Sequence, residues 1–404
     1  MENRRFVIRM REGQTVHNLF AEEKGNLTVE GIHTFKEDKN ADAHQYPLNL
    51  EDDSAEKSHY EDPFYRKLGK LDKEKYRTFT IDADNEQAVQ RILDKCKKNQ
   101  EQIEEYYEDG QIYFHAPPND PEFLKSQQKF YQKLGIEDCW DSVKGKGIVV
   151  SVIDTGVNAN HPDLKQNLLN STGVLDERNH GTPVAGIIAA VGNNGQGVIG
   201  IAPEALVQMH KVALAGNEAF MTAAIKAMEE AKDSKARIIN CSFGVSSNWR
   251  NSDAEKAFQK EINELSSKLL FVFSSGNGTD NDLAKIDIKD TFLNELNRVL
   301  KVGALEDNDS VASYSNFGED VIHAYGKMMS TSNNGGYGFF THTSAAAPQV
   351  AGICALLMSH NPLVSPHKVI EIIQKSATIT SGGVKRVNAF EALKLMKQEF
   401  GFVV

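Results

Sequence analysis

Short apolar runs alternate with helical patterns along the chain from about residue 118 onward. The runs lie at residues 148–153, 205–212, 237–241, 269–273 and 299–304, and apolar positions recur every three to four residues at 182–190, 219–232, 253–267, 344–359, 366–375 and 387–397. Continuous apolar runs are typical of strands buried on both faces of a parallel sheet. The pattern predicts a doubly wound α/β fold, with a mostly parallel sheet and helices on both faces.

The chain before residue 117 has a different pattern. Residues 6–10, 76–81 and 112–114 are predicted strands. Asp84 or Asn85 is the predicted cap of a helix that carries the apolar residues at 88, 89, 92 and 93. Residues 36–75 are highly charged and weakly periodic, which favours a loop, and the acidic run at 101–109 is predicted to be a solvated helix end. Pro117, Pro118 and Pro121 break the chain, so we place a boundary between a small α+β domain at 1–116 and a larger domain at 117–404.

Composition narrows the function classes. A formal net charge of −11 over 404 residues argues against a nucleic-acid-binding surface. No segment approaches the length of a membrane span, and the first residues contain no apolar run typical of a signal peptide. The four cysteines show no paired zinc-ligand spacing. We therefore expect a cytoplasmic protein with no nucleic-acid or membrane partner, although secretion by another route stays open.

An aspartate, Asp154, ends the first buried run and is followed by Thr155 and Gly156. A glycine permits a tight turn directly after a strand. In isolation the motif has two other interpretations, an ordinary turn, which is the more frequent, and a motif with the same letters in aspartic proteases. It needs a chemical partner elsewhere in the chain.

A histidine, His180, stands directly before a predicted helix. Thr182 is the predicted N-cap, and Pro183 is the predicted first helical residue, where its missing N–H costs nothing. Taken alone, His180 is also compatible with a surface histidine in a glycine-rich loop.

A serine, Ser344, lies at the start of an apolar helix, after the aromatic pair Phe339 and Phe340. A serine hydroxyl is a poor nucleophile at neutral pH, so it needs a base, an orienting carboxylate and an oxyanion donor. Asn277, held between two glycines after the run at 269–273, is the candidate donor. Its alternative is a plain Asn-Gly turn.

Together and in this order, the motifs around Asp154, His180, Asn277 and Ser344 resemble those of the subtilisin-like serine proteases. The resemblance covers about residues 118–392 and includes the segments 161–164, 197–203 and 312–318. It implies the doubly wound fold and hydrolysis of peptide bonds in polypeptide substrates through an acyl-enzyme. No cofactor is implied for the chemistry itself.

The resemblance also implies a role for each residue. Ser344 is the nucleophile, His180 is the general base and later the acid, and Asp154 orients and stabilises the imidazole. The Asn277 side chain and the Ser344 backbone N–H hold the oxyanion. His342 stands where the family usually has glycine, and it would be strained if its φ were positive.

The resemblance implies that two segments form walls of the substrate cleft. An extended substrate would pair with both segments by strand addition. The matching residues are Ser242, Phe243, Gly244, Ser274, Ser275 and Gly276. The floor of the specificity pocket is expected between residues 278 and 302, with an apolar or aromatic preference.

A structural calcium site is also implied. Asp163 and Asn194, the latter in the loop at 192–196, resemble ligands of the family's high-affinity site, together with a glutamine that is either Gln128 or Gln127. Oxygen ligands from a loop suit calcium. Because the loop is one residue longer than the usual pattern, a plain glycine turn is the alternative.

Finally, the resemblance implies that residues 1–116 form a prodomain that assists folding and inhibits the active site from within the chain. A permanent accessory domain that recruits a partner is the alternative. For the whole protein, the alternative to an active endopeptidase is a subtilase-fold module that binds peptides but is catalytically impaired at His342.

Overall fold

The computed structural model describes residues 4–10, 32–37, 77–83, 86–108, 118–169, 175–213, 219–278 and 284–400. Contacts along the chain divide it into two compact units, Met1–His115 and Ala116–Val404. Within the described ranges, no helix is long and apolar enough to cross a membrane.

The first unit contains four strands and one helix in its described part. They are β1 Arg4–Met10, β2 Ile32–Glu37, β3 Arg77–Ala83, α1 Glu86–Lys98 and β4 Ile103–Glu108. The strands pair antiparallel in the order β2-β3-β1-β4. Ile8 of β1 and Ile92 of α1 are both fully buried, so this unit has an apolar core of its own.

Most of the acidic run at 101–109 differs from its prediction, because residues 103–108 form strand β4 and not a helix end. β4 is the outer neighbour of β1, and charged side chains are common on edge strands because they discourage pairing with other chains. The first two residues of the predicted charged loop, Lys36 and Glu37, are the last two of strand β2, Ile32–Glu37. The rest of that loop and the predicted strand at 112–114 lie outside the described residues.

The second unit is built on a nine-stranded sheet. Its longer strands are β5 Val149–Asp154, β7 Leu206–Lys211, β8 Ala236–Cys241, β9 Leu270–Ser274, β10 Val299–Leu305 and β11 Val321–Tyr325, and short strands β6 Leu168–Leu169, β14 Thr378–Ile379 and β15 Lys385–Arg386 complete it. The order is β14-β15-β11-β10-β9-β8-β5-β7-β6, and every described pairing is parallel except that of β14 with β15. A separate hairpin joins β12 Lys327–Thr331 to β13 Tyr337–Thr341.

Helices cover both faces of this sheet, which confirms the predicted doubly wound architecture. They are α2 Gln128–Lys133, α3 Gly181–Ala189, α4 Met221–Asp233, α5 Asp253–Leu265, α6 Thr343–His360, α7 Pro366–Lys375 and α8 Ala389–Phe400. Along β5, Val150 and Val152 enter the core that contains α3 and α6, whereas Val149 and Ile153 enter the core that contains α4 and α5. Successive strand residues point to opposite faces, so a strand that is apolar throughout must be covered on both.

The strand order places the functional loops at one edge of the sheet. After β5 the chain adds β6 and β7 on one side and then crosses to β8 and the remaining strands on the other. Ligands bind beside the carboxyl ends of the strands where the order reverses in this way. Asp154 ends β5, Ser242 follows β8, and Ser275 follows β9, so all three lie at this edge.

Candidate active site

Asp154 is held at the carboxyl end of the central strand β5. Its side chain is only 2% exposed, and its Oδ1 accepts hydrogen bonds from Thr155 N and His180 Nδ1, each at 2.7 Å. Its Oδ2 is buried and has no partner among the described residues. A buried carboxylate on Nδ1 selects the imidazole tautomer whose Nε2 can accept a proton.

His180 is the N-cap of α3, which begins one residue before the predicted N-cap Thr182. Its side chain is 31% exposed, and the Phe340 ring lies edge-on at 5.1 Å between centroids. Burial acts to lower the pKa of His180. The charge and hydrogen bond of Asp154, with the charge of Asp176, outweigh that effect, so the pKa lies above its usual value. The site therefore favours the imidazolium that forms when His180 takes a proton.

Asp176 is a site residue that the sequence analysis missed. It is buried four residues before His180, and its Oδ2 accepts from Thr182 N at 2.8 Å, so it supplies the cap acceptor for the first turn of α3. An acidic residue shortly before a helix start was the available sequence signal.

Ser344 is the second residue of α6, where its backbone N–H is one of those left unpaired at a helix start. Its Oγ donates to Ser242 O at 3.1 Å, and Ser242 Oγ donates to Ser344 O at 3.2 Å. In a regular helix the Ser344 carbonyl would accept from the backbone N–H of residue 348, but Pro348 has no N–H. The Ser242 hydroxyl is the donor to this carbonyl instead. The loop after β8 and helix α6 are thus joined by a reciprocal pair of hydrogen bonds.

Asn277 is fixed by the residue beside Ser344. Its Oδ1 accepts from Thr343 N at 3.0 Å and from Thr343 Oγ1 at 2.8 Å. The amide oxygen is therefore engaged, whereas Nδ2 has no partner among the described residues and is free to donate. A preorganised amide donor of this kind is what an oxyanion requires.

His342 adopts a backbone conformation that favours glycine, with φ 76° and ψ −174°. Such a conformation costs about 1–3 kcal/mol in a residue with a side chain. His342 N donates to Gly326 O at 2.8 Å, and the ring lies 4.7 Å from that of Tyr314. The strain is held in place by contacts on both the backbone and the side chain.

All six predicted substrate-binding residues line one pocket of about 360 Å³, together with Asn277 and Ser344. Thr291, Phe292 and Leu293 also line it, within the range predicted for the floor. None of the described lining residues is charged. The pocket is therefore suited to an uncharged side chain.

The residues predicted to bind calcium are only partly brought together. Asp163 is fully buried, its Oδ1 accepts from Asn194 Nδ2 at 2.6 Å, and its Oδ2 accepts from Val198 N at 3.0 Å. Gln128 instead contacts Glu137, with 3.4 Å between Nε2 and Oε2, and the alternative Gln127 accepts from Ile199 N at 3.1 Å through its Oε1.

A second buried carboxylate, Asp120, lies in the same network and accepts from Asn193 N at 2.8 Å and Asn194 N at 3.4 Å. The Asn194 Oδ1 accepts from Gln196 N at 2.9 Å. Calcium needs about six to eight converging oxygens, but the carboxylate and amide oxygens here already accept from N–H groups. As arranged, these side chains do not fit a calcium ion.

Comparison with known proteins identifies the family. The family model described as the subtilase family, peptidase S8, matches residues 145–401. Thermitase of Thermoactinomyces vulgaris is 30% identical over 291 residues, which are 69% of this chain and 99% of the relative. The major intracellular serine protease of Bacillus subtilis (strain 168) is 32% identical over 232 residues, 54% of this chain and 70% of the relative.

Solved structures agree. A protease from Pseudoalteromonas arctica PAMC 21717 has a TM-score of 0.59 and 28% identity, and the match covers 70% of this chain and all of that one. The nisin leader peptidase NisP of Lactococcus lactis, at 20% identity, has a TM-score of 0.57 over 66% of this chain and 93% of its own, which shows the shared fold.

Proposed function

The chain belongs to the subtilase family of serine peptidases, and we propose that it is an active endopeptidase with Ser344, His180 and Asp154 as its catalytic triad. The observation that carries the proposal is the 2.7 Å contact between His180 Nδ1 and the buried Asp154 Oδ1. This contact has no evident structural purpose at a half-exposed histidine, whereas it prepares Nε2 to act as a base.

His180 is the N-cap of α3 and Ser344 is the second residue of α6, and the two helices pack against each other. In the reaction, His180 Nε2 takes the Ser344 hydroxyl proton as Oγ attacks the peptide carbonyl, and then gives that proton to the leaving amine. Water enters by the reverse route and releases the acyl group. Asn277 Nδ2 and Ser344 N hold the oxyanion in both steps.

The Ser344 hydroxyl must first turn away from Ser242 O, to which it donates in this structure. Hydrogen bonds between catalytic groups are often long or misaligned before substrate binds and tighten in the complex. A substrate strand beside Ser242 and Ser275 supplies a reason for this rotation, because it brings the carbonyl that Oγ attacks.

Labelling by a fluorophosphonate probe tests the triad directly, because the probe reacts with a serine only when a base activates it. We expect labelling of the wild type and none of Ser344→Ala or His180→Ala. If neither the full-length nor an N-terminally trimmed wild type is labelled, while a control protease is, the proposed activity is wrong.

The uncharged pocket supports cleavage after apolar or aromatic residues. Peptide substrates that differ only in the residue before the scissile bond test this preference. We expect kcat/KM for phenylalanine or leucine to exceed that for glutamate or arginine, because a charge buried there would have no partner.

The alternative, an impaired module that binds peptides without cutting them, is favoured by one observation, the strained backbone of His342. His342→Gly removes the strain and the ring, whereas His342→Ala removes only the ring. If strain limits the enzyme, probe labelling is faster in the glycine variant than in both others. Equal labelling of all three proteins would mean that His342 does not impair the site.

We also propose that residues 1–116 act as an intramolecular inhibitor. The described α+β sheet and helix of the first unit, together with the family, support this proposal. Intact mass and N-terminal sequencing of wild type beside Ser344→Ala test it. Shortened wild type with full-length Ser344→Ala is expected, and identical full-length products would favour the accessory domain.

For the location, we propose the cytoplasm. The four cysteines are free and buried, and one relative is named as an intracellular protease. Fractionation of the producing cells checks this, and enrichment of the protein outside the cells would contradict it.

A further inference from the structure

Asp176 collects more hydrogen bonds than any other carboxylate near the candidate triad. Its Oδ1 accepts from Thr155 Oγ1 at 2.8 Å, Arg178 N at 3.1 Å and His180 N at 3.4 Å, and its Oδ2 accepts from Thr182 N at 2.8 Å. Three of these donors are backbone N–H groups within six residues of Asp176. The carboxylate therefore fixes the path of the chain on both sides of His180.

Thr155 connects this carboxylate to Asp154. Its backbone N–H donates to Asp154 Oδ1 at 2.7 Å, while its hydroxyl donates to Asp176 and accepts from Gly181 N at 3.0 Å. One residue thus links Asp154, Asp176 and the first residue of α3. A shift of the Asp176 carboxylate would therefore be transmitted through Thr155 to Asp154, which holds the imidazole, and to Gly181, which follows His180.

Among the residues that the structure describes, few charged groups lie around His180. Asp154 faces it from β5 and Asp176 from the preceding loop. On that loop Glu177 is exposed and pairs with Lys211 at 3.3 Å, and Arg178 is exposed. From the hairpin, the uncharged ring of Phe340 contacts His180, and Lys327 lies over Phe339, 4.5 Å from its ring centroid. The first turn of α6, which contains Ser344, carries no charged side chain.

We propose that Asp176 is a positioning residue of this active site, a second carboxylate that holds the His180 backbone and, through Thr155, aligns Asp154 with the imidazole. The inference rests on the proposed role of His180 as general base. Because Asp176 is buried and anionic, it also stabilises the positive charge that His180 carries after it has taken a proton and before it gives that proton to the leaving group.

Three substitutions separate geometry from charge. Asp176→Asn keeps the shape of the side chain, removes its charge and replaces one of its two acceptor oxygens with an NH2 group. Thr155→Val removes the bridging hydroxyl and leaves the charge, and Thr155→Ser restores the hydroxyl. The titration of the His180 imidazole is followed by NMR in a Ser344→Ala background, and the pH profile of kcat/KM is followed in the active proteins.

For Asp176→Asn we expect a lower pKa of His180 and an acidic limb of kcat/KM displaced to lower pH, since His180 stays neutral further into acid. Misalignment should lower kcat about 10- to 100-fold with little change in KM. Thr155→Val should lower kcat without displacing the limb, and Thr155→Ser should recover wild-type kcat.

An unchanged His180 titration in Asp176→Asn overturns the charge role, and equal kcat in Thr155→Val and Thr155→Ser overturns the alignment role. If Asp176→Asn does not fold, the threonine pair alone decides the inference. The NMR titration needs no turnover. A wild type that fails to react with the fluorophosphonate probe would therefore refute the proposed activity while the effect of Asp176 on His180 is still read.

Discussion

Two pairs of buried carboxylates lie in the second unit, and they are held in opposite ways. At the start of α3, Asp154 contacts the imidazole of His180 and Asp176 accepts from the backbone N–H of the same residue. Asp120 and Asp163 accept hydrogen bonds from the loop at 192–198, all from neutral groups. The first pair is arranged around a group that gains a positive charge in the proposed reaction, whereas the second pair has no cation among its described contacts.

The titration behaviour of the two pairs follows from these surroundings. Burial acts to raise the pKa of Asp176, but hydrogen bonds from Thr182, Thr155 and Arg178 outweigh it, so the pKa falls below its usual value. For Asp120 and Asp163 burial dominates, and the pKa of each lies above its usual value despite their N–H donors. All of these carboxylates are buried, yet their pKa values shift in opposite directions, because hydrogen-bond donors and nearby charges set the direction of the shift. Burial alone therefore does not identify a functional carboxylate.

The largest effect is expected for Asp154→Asn, which keeps the shape of the side chain but presents the wrong group to His180 Nδ1. Loss of the correct tautomer typically lowers kcat about 10⁴-fold. Steady-state kinetics measures this loss. Thermal unfolding provides the control, and a change in activity below tenfold would remove Asp154 from the triad.

In the second pair, Asp163→Ala should act on stability and not on chemistry. It leaves Asn194 Nδ2, Val198 N and the Tyr337 hydroxyl without their acceptor. Val198 is buried, whereas Asn194 and Tyr337 are half-buried and can turn to water. A buried unpaired donor costs about 1–3 kcal/mol, so the free energy of unfolding should fall by about that amount.

Denaturant unfolding measures the loss in Asp163→Ala. Asp163→Asn is the matched control, and it should lie between the alanine variant and the wild type because it keeps one acceptor oxygen. If Asp163→Ala lowers kcat at a temperature where the variant is fully folded, the second carboxylate pair also acts on the chemistry, and the distinction between the two pairs is wrong.

A smaller effect separates the pairs by pH. Asp176 has a lowered pKa in the folded state, so its stabilisation is present above the unfolded pKa and is lost as pH falls through the folded value. Asp163 has a raised pKa, so its contribution is greatest below the unfolded pKa and declines as pH rises through the folded value.

Unfolding free energies of wild type, Asp176→Asn and Asp163→Asn between pH 3 and pH 7 test these signs. The cost of Asp176→Asn should shrink toward low pH, and the cost of Asp163→Asn should grow. Parallel curves for the two variants would show that their carboxylates titrate alike, against the structure.

The sequence predicted most of the fold because the apolar runs of a parallel sheet are continuous, as Val149–Asp154 illustrates. It predicted Asp154, His180, Asn277 and Ser344 as site residues because their motifs, each at a strand end or a helix start, resemble in kind and order those of the subtilisin-like serine proteases. Asp176 was missed because its importance depends on which N–H groups the fold turns toward it. The sequence could not distinguish Gln127 from its neighbour Gln128 as the inward-facing glutamine. Gln127 ends a π-helical turn, Phe123–Gln127, and such a turn shifts which residue faces inward.

The smallest effect is expected from calcium. It tests whether the N–H donors around Asp120 and Asp163 satisfy both carboxylates without a bound ion. Because the Asp163 and Asp120 oxygens already accept from N–H groups, we expect the same Tm in excess calcium, in magnesium and in a chelator. An ion at about 1,000 times its Kd would stabilise the fold by about 4 kcal/mol. A calcium-binding protein in the same buffers is the positive control. A calcium-specific rise in Tm that Asp163→Asn abolishes would mean that the N–H donors give way to the ion, and that both carboxylate pairs serve a positive charge after all.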